Sequence, residues 1–146
     1  MKKKVRIAIV ASCFNDFITK ALLNVCWMEL KRCGLKEDQI TTVWVPGTFE
    51  IPLMALKLAG KKNVDAVICL GAVIRGETYH FEVIANENAR GMMEVSLTTG
   101  KPVIMGVLTT DTVDQAQKRA QDKGGPNKGR DAARAAVAMV NLLKKI

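Results

Sequence analysis

The sequence is short of several things, and each shortage excludes a class of protein. It has one histidine, His80, and four cysteines, Cys13, Cys26, Cys33 and Cys69. No two cysteines form a CxxC pair, and none has the Cys/His spacing of a zinc site. Cys26 and Cys33 lie seven positions apart on one expected helix. At about 1.5 Å rise per residue that separates them by roughly 10 Å, too far for a disulfide. The thiols therefore read as buried or idle. No apolar run is long enough to span a bilayer. The basic start Met1-Lys2-Lys3-Lys4 leads only into Val5 to Ala11, which carries Arg6 and reads as a strand rather than a signal-peptide core. A cytoplasmic protein without a membrane partner is expected. Repeats and low-complexity segments are absent. Aromatic residues make up only 5% of the chain and do not interleave with the basic ones, as they would on a single-strand nucleic-acid platform.

What remains is globular. Hydrophobic residues make up 49% and charged residues 25%, and residues 1–146 are expected to form one domain. The formal net charge is +8. Much of it lies near the C-terminus, from Lys118 and Arg119 through Lys128 and Arg130 to Lys145. Such an excess favours an anionic partner. Without interleaved aromatics it reads as a solvated face with a small-anion site, not as a nucleic-acid stripe.

Hydrophobic periodicity predicts strands at Val5–Val10, Ile40–Val45, Val64–Leu70 and Pro102–Leu108. Helices are expected from Phe17 to Arg32, from about Glu50 to Ala59, from about Thr78 to Thr98, from Asp111-Thr112 to about Ala120, and beyond a glycine-rich break at Asp122 to Lys128. The first helix is expected to bury Ile18, Leu22, Val25, Met28 and Leu30, with Gly34 ending it. The long helix is expected to present Phe81, Ile84, Ala85, Ala89, Met92 and Val95. The last is expected to bury Ala132, Ala135, Ala136, Met139, Val140 and Leu143. Strands alternating with helices imply right-handed crossovers and a parallel sheet covered on both faces. The expected fold is a flavodoxin-like three-layer α/β/α sandwich with a four-stranded sheet in order 2-1-3-4. Ligands in such folds bind beyond the carboxyl ends of the strands, at the switch in strand order. Here that selects the loops Ala11 to Asp16 and Gly71 to Thr78.

Gly71-Ala72-Val73-Ile74-Arg75-Gly76-Glu77-Thr78 has the glycine spacing of a phosphate loop, but Glu77 stands where a nucleotide-binding lysine belongs. The general mechanism survives that mismatch: a glycine turn entering a helix leaves free N–H groups, here those of Glu77 and Thr78, that attract an anion. His80 follows in the first helical turn, where the dipole favours a neutral imidazole ready for proton transfer. Phe14-Asn15 after the first strand suits stacking on, and hydrogen bonding to, a flat heterocycle, although core packing of Phe14 is the simpler alternative. Val45-Pro46-Gly47-Thr48-Phe49-Glu50-Ile51-Pro52 closes the second strand with a rigid turn, and Arg119 and Lys128 bracket the glycine-rich break as phosphate-binding cations.

These segments, with Gly106-Val107-Leu108-Thr109-Thr110 and Asn127-Lys128-Gly129, resemble in order the motifs of the lumazine synthases, which catalyse the penultimate step of riboflavin synthesis. The resemblance covers nearly the whole chain. It implies condensation of 5-amino-6-(D-ribitylamino)uracil with 3,4-dihydroxy-2-butanone 4-phosphate to 6,7-dimethyl-8-ribityllumazine, phosphate and water, with no metal or organic cofactor. It implies His80 as the proton-transfer residue. The backbone of Glu77 and Thr78, with Arg119, would bind the phosphate. Phe14 would stack on the pyrimidine, with Asn15 and Lys128 holding it, and Thr48, Phe49, Glu50, Ala72, Val73 and Ile74 would line the pocket. It further implies a homopentamer in which Met105, Arg119 and Lys128 come from the adjacent subunit, with riboflavin synthase as a candidate partner. The chain departs from the family pattern in three ways. Met105 stands where phenylalanine is frequent, strand one follows almost directly on the N-terminus, and Gly124-Gly125-Pro126-Asn127-Lys128 is one residue longer than the common break. The last two leave open whether pentamers stop there or build a sixty-subunit shell.

Overall fold

The central strand decides the architecture. The nine residues Ala66–Ile74 carry no charge, and all but the last are buried, so both faces of this strand need a covering layer. The computed structural model, which describes residues 3–146, shows how this is done. β1 (Ile7–Ser12), β2 (Ile40–Val45), β3 (Ala66–Ile74) and β4 (Val103–Thr110) form one sheet in the order β2-β1-β3-β4. Every pairing is parallel. Among the described residues the α-helices are α1 (Asp16–Arg32), α2 (Ile51–Ala59), α3 (His80–Thr99), α4 (Val113–Lys118) and α5 (Lys128–Leu143). This is the α/β sandwich and strand order expected from the sequence.

The alternation of strand side chains sorts the helices into layers. Ile7 and Ile9 of β1, with Ile68 and Leu70 of β3, pack against Ile18, Leu22 and Cys26 of α1 and the alanines Ala132, Ala133 and Ala136 of α5. Ala8 and Val10, with Val67 and Cys69, pack against Ile51, Ala55 and Leu58 of α2 and Met92 and Val95 of α3. No helix among the described residues is long and apolar enough to cross a membrane. All four cysteines are free. Cys26 and Cys69 are buried, and burial pushes the Cys26 thiol up to about 12 and the Cys69 thiol higher still. Cys13 and Cys33 are exposed.

Several boundaries differ from expectation, for identifiable reasons. β1 begins at Ile7, two residues later than the hydrophobic run suggests, and extends to Ser12. Arg6 is tied at the amino edge, its N–H to Asp65 and its guanidinium to the Asp38 carbonyl. β3 does not end at Leu70. Gly71–Ile74 continue the ladder, pairing with Val107–Thr110 of β4, and the loop runs only from residue 75 to residue 79. Gly71 is a site of close approach, not a turn: a Cβ there would lie 2.5 Å from Ser12 Oγ and 2.9 Å from Thr48 Cγ2. Met28, expected in the core, is exposed, and Cys26 and Glu29 complete the buried side of α1 instead. Met139 and Leu143 of α5 are likewise exposed, while Gly129 and Ala133 are buried. On α3 the buried polar residue is Asn88, on the same face as Met92 and Val95.

Candidate active site

The carboxyl ends of the strands open into two clefts. The first, of about 680 Å³, lies at the switch between β1 and β3. Its walls come from four places in the chain: Phe14 and Asn15 after β1, Gly47–Glu50 after β2, Ala72–Ile74 at the end of β3, and Gly76, Thr78, His80, Phe81, Val83 and Ile84 around the start of α3.

Local interactions explain how these segments meet. The N–H groups of Cys13 and Phe14 donate to the carbonyls of Val45 and Pro46, at 2.8 and 3.0 Å, zipping the exit of β1 to that of β2. Asn15 then turns the chain into α1 with φ 59°, the left-handed conformation that asparagine tolerates better than most side chains. Its Nδ2 donates to the Ala72 carbonyl at 2.9 Å, joining the loop to β3. One of its two amide donors is therefore engaged within the protein. Phe14 is 70% exposed, so its ring forms a rim of the cleft and is not a core residue.

Across the cleft, Thr48–Glu50 form a single 3-10 turn ahead of α2. The buried Asn88 of α3 donates through Nδ2 to the Thr48 carbonyl at 2.6 Å, while its Oδ1 is buried without a partner. Asn88 thus ties the turn that lines the cleft to the helix that begins with His80. Sequence reading placed its neighbour Ala89 on the buried stripe and passed over Asn88; the available signal was a polar residue four positions before Met92.

α3 starts without a side-chain cap at Tyr79. Thr78 Oγ1 accepts from the His80 N–H at 3.4 Å, and the N–H groups of Gly76, Glu77 and Thr78 have no acceptor among the described residues. An uncapped helix start of this kind attracts anions. His80 is the first residue of α3 and faces the cleft exposed. Glu77 is exposed and outside the cleft lining. Arg75, the one cation of the loop, is held elsewhere by Glu82 and Asp111. Its hydrogen bond keeps the Glu82 carboxyl below the usual carboxylate range, against the opposing effect of desolvation.

The second cleft, of about 360 Å³, lies beside the first at the exit of β4. Val107–Thr110 form its floor, and Arg119, Pro126, Asn127, Lys128 and Asp131 its walls. Asn127 caps α5, its Oδ1 accepting from the N–H groups of Gly129 and Arg130 at 2.8 and 3.3 Å. Lys128 N–H donates to the Arg119 carbonyl at 2.9 Å, closing the glycine-rich loop and bringing the two cations to one cleft. Met105 lines neither cleft; it sits in the middle of the edge strand β4, 40% exposed. Apart from Glu77 and Met105, the sequence-predicted residues therefore fall into two groups. Phe14, Asn15, Thr48, Phe49, Glu50, Ala72, Val73, Ile74, Thr78 and His80 share the first cleft, and Arg119 and Lys128 share the second.

A family model described as 6,7-dimethyl-8-ribityllumazine synthase matches residues 4–144, nearly the whole chain. The chain belongs to this family, whose members are transferases that carry out a condensation in riboflavin biosynthesis.

Proposed function

With that membership as premise, we propose that the chain condenses 5-amino-6-(D-ribitylamino)uracil with 3,4-dihydroxy-2-butanone 4-phosphate, giving 6,7-dimethyl-8-ribityllumazine, phosphate and water. One observation carries the reading: a single cleft gathers the Phe14 ring, the Glu50 side chain, the uncapped start of α3 and the only histidine of the chain. Phe14 stacks on the pyrimidine, and Asn15 and Lys128 supply polar contacts. The amides of Glu77 and Thr78, with Arg119, receive the phosphate. The amine of the pyrimidine is itself the nucleophile. Its nitrogen attacks the ketone carbon, the carbonyl oxygen leaves as water, and an imine results. Loss of a proton from the neighbouring carbon expels phosphate and leaves an enol, which becomes a ketone; the second nitrogen attacks that ketone carbon, its oxygen leaves as a second water, and the new ring closes. His80 moves the protons, taking them from nitrogen and delivering them to the departing oxygen. The chemistry asks the protein mainly to hold two reactants in line.

The working site is composite in this reading, with Arg119, Lys128 and Met105 supplied by the neighbouring subunit of a pentamer. Two features support it. The cations occupy a cleft that His80 does not line. Large apolar side chains also stand exposed across the surface, Leu97 at 77%, Met28 at 66%, Leu53 at 64% and Met93 at 61% among them. Arrangement of the pentamers into a shell, and docking of riboflavin synthase, are extensions that light scattering of the purified protein, alone and with that enzyme, would separate.

The test is complementation. His80→Ala and Arg119→Ala chains, each impaired alone, are unfolded together, refolded as mixed oligomers and assayed for lumazine formation from the two substrates. If each site takes His80 from one chain and Arg119 from the next, random mixing restores about a quarter of the sites. Failure of the unmodified protein to form product would end the assignment of the reaction; activity in the unmodified protein without complementation would end the composite site.

A further inference from the structure

Arg119 follows the last residue of α4, a helix of six residues. A helix that short does not hold itself in place. A run of hydrogen bonds fixes it from outside. Arg119 Nη1 donates to the Gln115 backbone carbonyl at 2.9 Å. The Gln115 N–H donates to Thr112 Oγ1 at 3.1 Å, and its side-chain Oε1 accepts from the Asp111 N–H at 2.8 Å. The Asp111 carboxylate in turn accepts from Arg75 Nε at 2.7 Å.

Arg75 is anchored on the far side. Its N–H donates to the Thr110 carbonyl at 2.9 Å, extending the β3–β4 ladder by one rung. Its Nη1 donates to the Glu82 carboxylate, and its guanidinium carbon lies 4.5 Å from the centroid of the Phe81 ring, a wall of the first cleft. Two carboxylates and an aromatic face thus hold the guanidinium, and its charge is offset within the chain. Its contacts join the loop before α3 to the turn that launches α4.

We propose that Arg75, Asp111 and Gln115 are positioning residues that hold Arg119 in the orientation needed to meet an anionic substrate group. The inference rests on the assignment of Arg119 to the phosphate. None of the three residues touches substrate in this view. Arg119 has five N–H donors and one is engaged by Gln115, which leaves the outer edge of the guanidinium for a bidentate contact.

The test measures the apparent KM for each substrate separately, and kcat, in Arg75→Met, Asp111→Asn, Gln115→Leu and Arg75→Lys, alone and in an Arg119→Ala background. Thermal unfolding of each variant checks that it folds. Residues that act by aiming one hydrogen-bonding cation should each raise KM for the butanone phosphate roughly three- to tenfold, leaving KM for the pyrimidine and kcat within about twofold. Arg75→Lys should recover part of the loss, because it restores the charge without the planar fork. In the Arg119→Ala background the same substitutions should add nothing, since the group they aim is gone. Single variants that leave KM unchanged while Arg119→Ala raises it would overturn the proposal, as would a rise that persists in the Arg119→Ala background. If Arg119→Ala alone leaves KM for the phosphate substrate unchanged, the assignment of Arg119 falls and takes this inference with it, an outcome told apart from the others by that one variant.

Discussion

The two clefts at the carboxyl edge of the sheet differ in kind. The first is roomy and walled largely by apolar and aromatic side chains, with a helix start and His80 at one end. The second is about half its size, and its walls carry Arg119 and Lys128. The first can hold a flat heterocycle and move protons but brings no free cation of its own, because Arg75 is paired. The second brings cations but neither an aromatic ring nor a histidine. Each has what the other lacks. Such a division suits the proposed reaction, whose two substrates differ in the same way, one a planar uracil and the other a small phosphate ester.

The strongest test of that division falls on the first cleft. His80→Ala should lower kcat by about 10²-fold, at the lower end of what a positioned acid–base group contributes, with oligomer size and both KM values near those of the unmodified protein. Single-turnover absorbance under saturating substrates measures it. A loss confined to KM would mean that His80 binds and does not transfer protons, and the contrast between a proton-moving cleft and an anion-binding cleft would collapse.

The complementary substitution, Arg119→Ala, should raise KM for the butanone phosphate roughly 10- to 100-fold, the scale of one lost charge-assisted hydrogen bond to an anion. KM for the pyrimidine should barely move. Steady-state assays varying each substrate in turn distinguish the two. If both KM values rise together, Arg119 serves the pyrimidine as well, as Lys128 is proposed to, and the split is less clean.

How much of this was legible beforehand depends on the range of the interaction. The layers follow from local periodicity, the strand order from the flavodoxin-like pattern, and the roster of the first cleft from where the strands end together with the family resemblance. β2 begins and ends where its alternation predicts, at Ile40 and Val45. Gly71 misled because glycine has two uses that look alike in sequence, a turn and a close approach, and only the position of Ser12 and Thr48 tells them apart. Asn88 was overlooked because its partner, the Thr48 carbonyl, is 40 residues away and is a backbone atom. The Arg75 clamp was hidden for the same reason, its acceptor Asp111 standing 36 residues further on. Met28 and Met139 were drawn into the core by hydrophobicity, yet they stand exposed.

The smallest effect should come from the scaffold behind the second cleft, and it sharpens the comparison by being of a different type. α5, which presents Lys128, is fastened to α1 by Arg134, whose Nε donates to the nearly buried Glu29 carboxylate at 2.8 Å. That hydrogen bond, opposed by desolvation, holds the Glu29 carboxyl below its ordinary 4.5. A carboxyl depressed in the folded state stabilises the fold above the unfolded value, and loses that contribution as pH falls through the folded one. Arg134→Met, which keeps most of the apolar stem, should therefore lower the melting temperature by a few degrees at neutral pH, because the pair is half open to solvent and screened. The gap between variant and unmodified protein should close as pH drops below 4.5, where Glu29 takes up its proton in both. KM for either substrate should stay unchanged at neutral pH. A calorimetric gap independent of pH would assign the loss to packing of the Arg134 stem. A rise in KM for the phosphate substrate would mean instead that the α1–α5 fastening reaches the cations, and that the second cleft is tuned from behind as well as through Arg75.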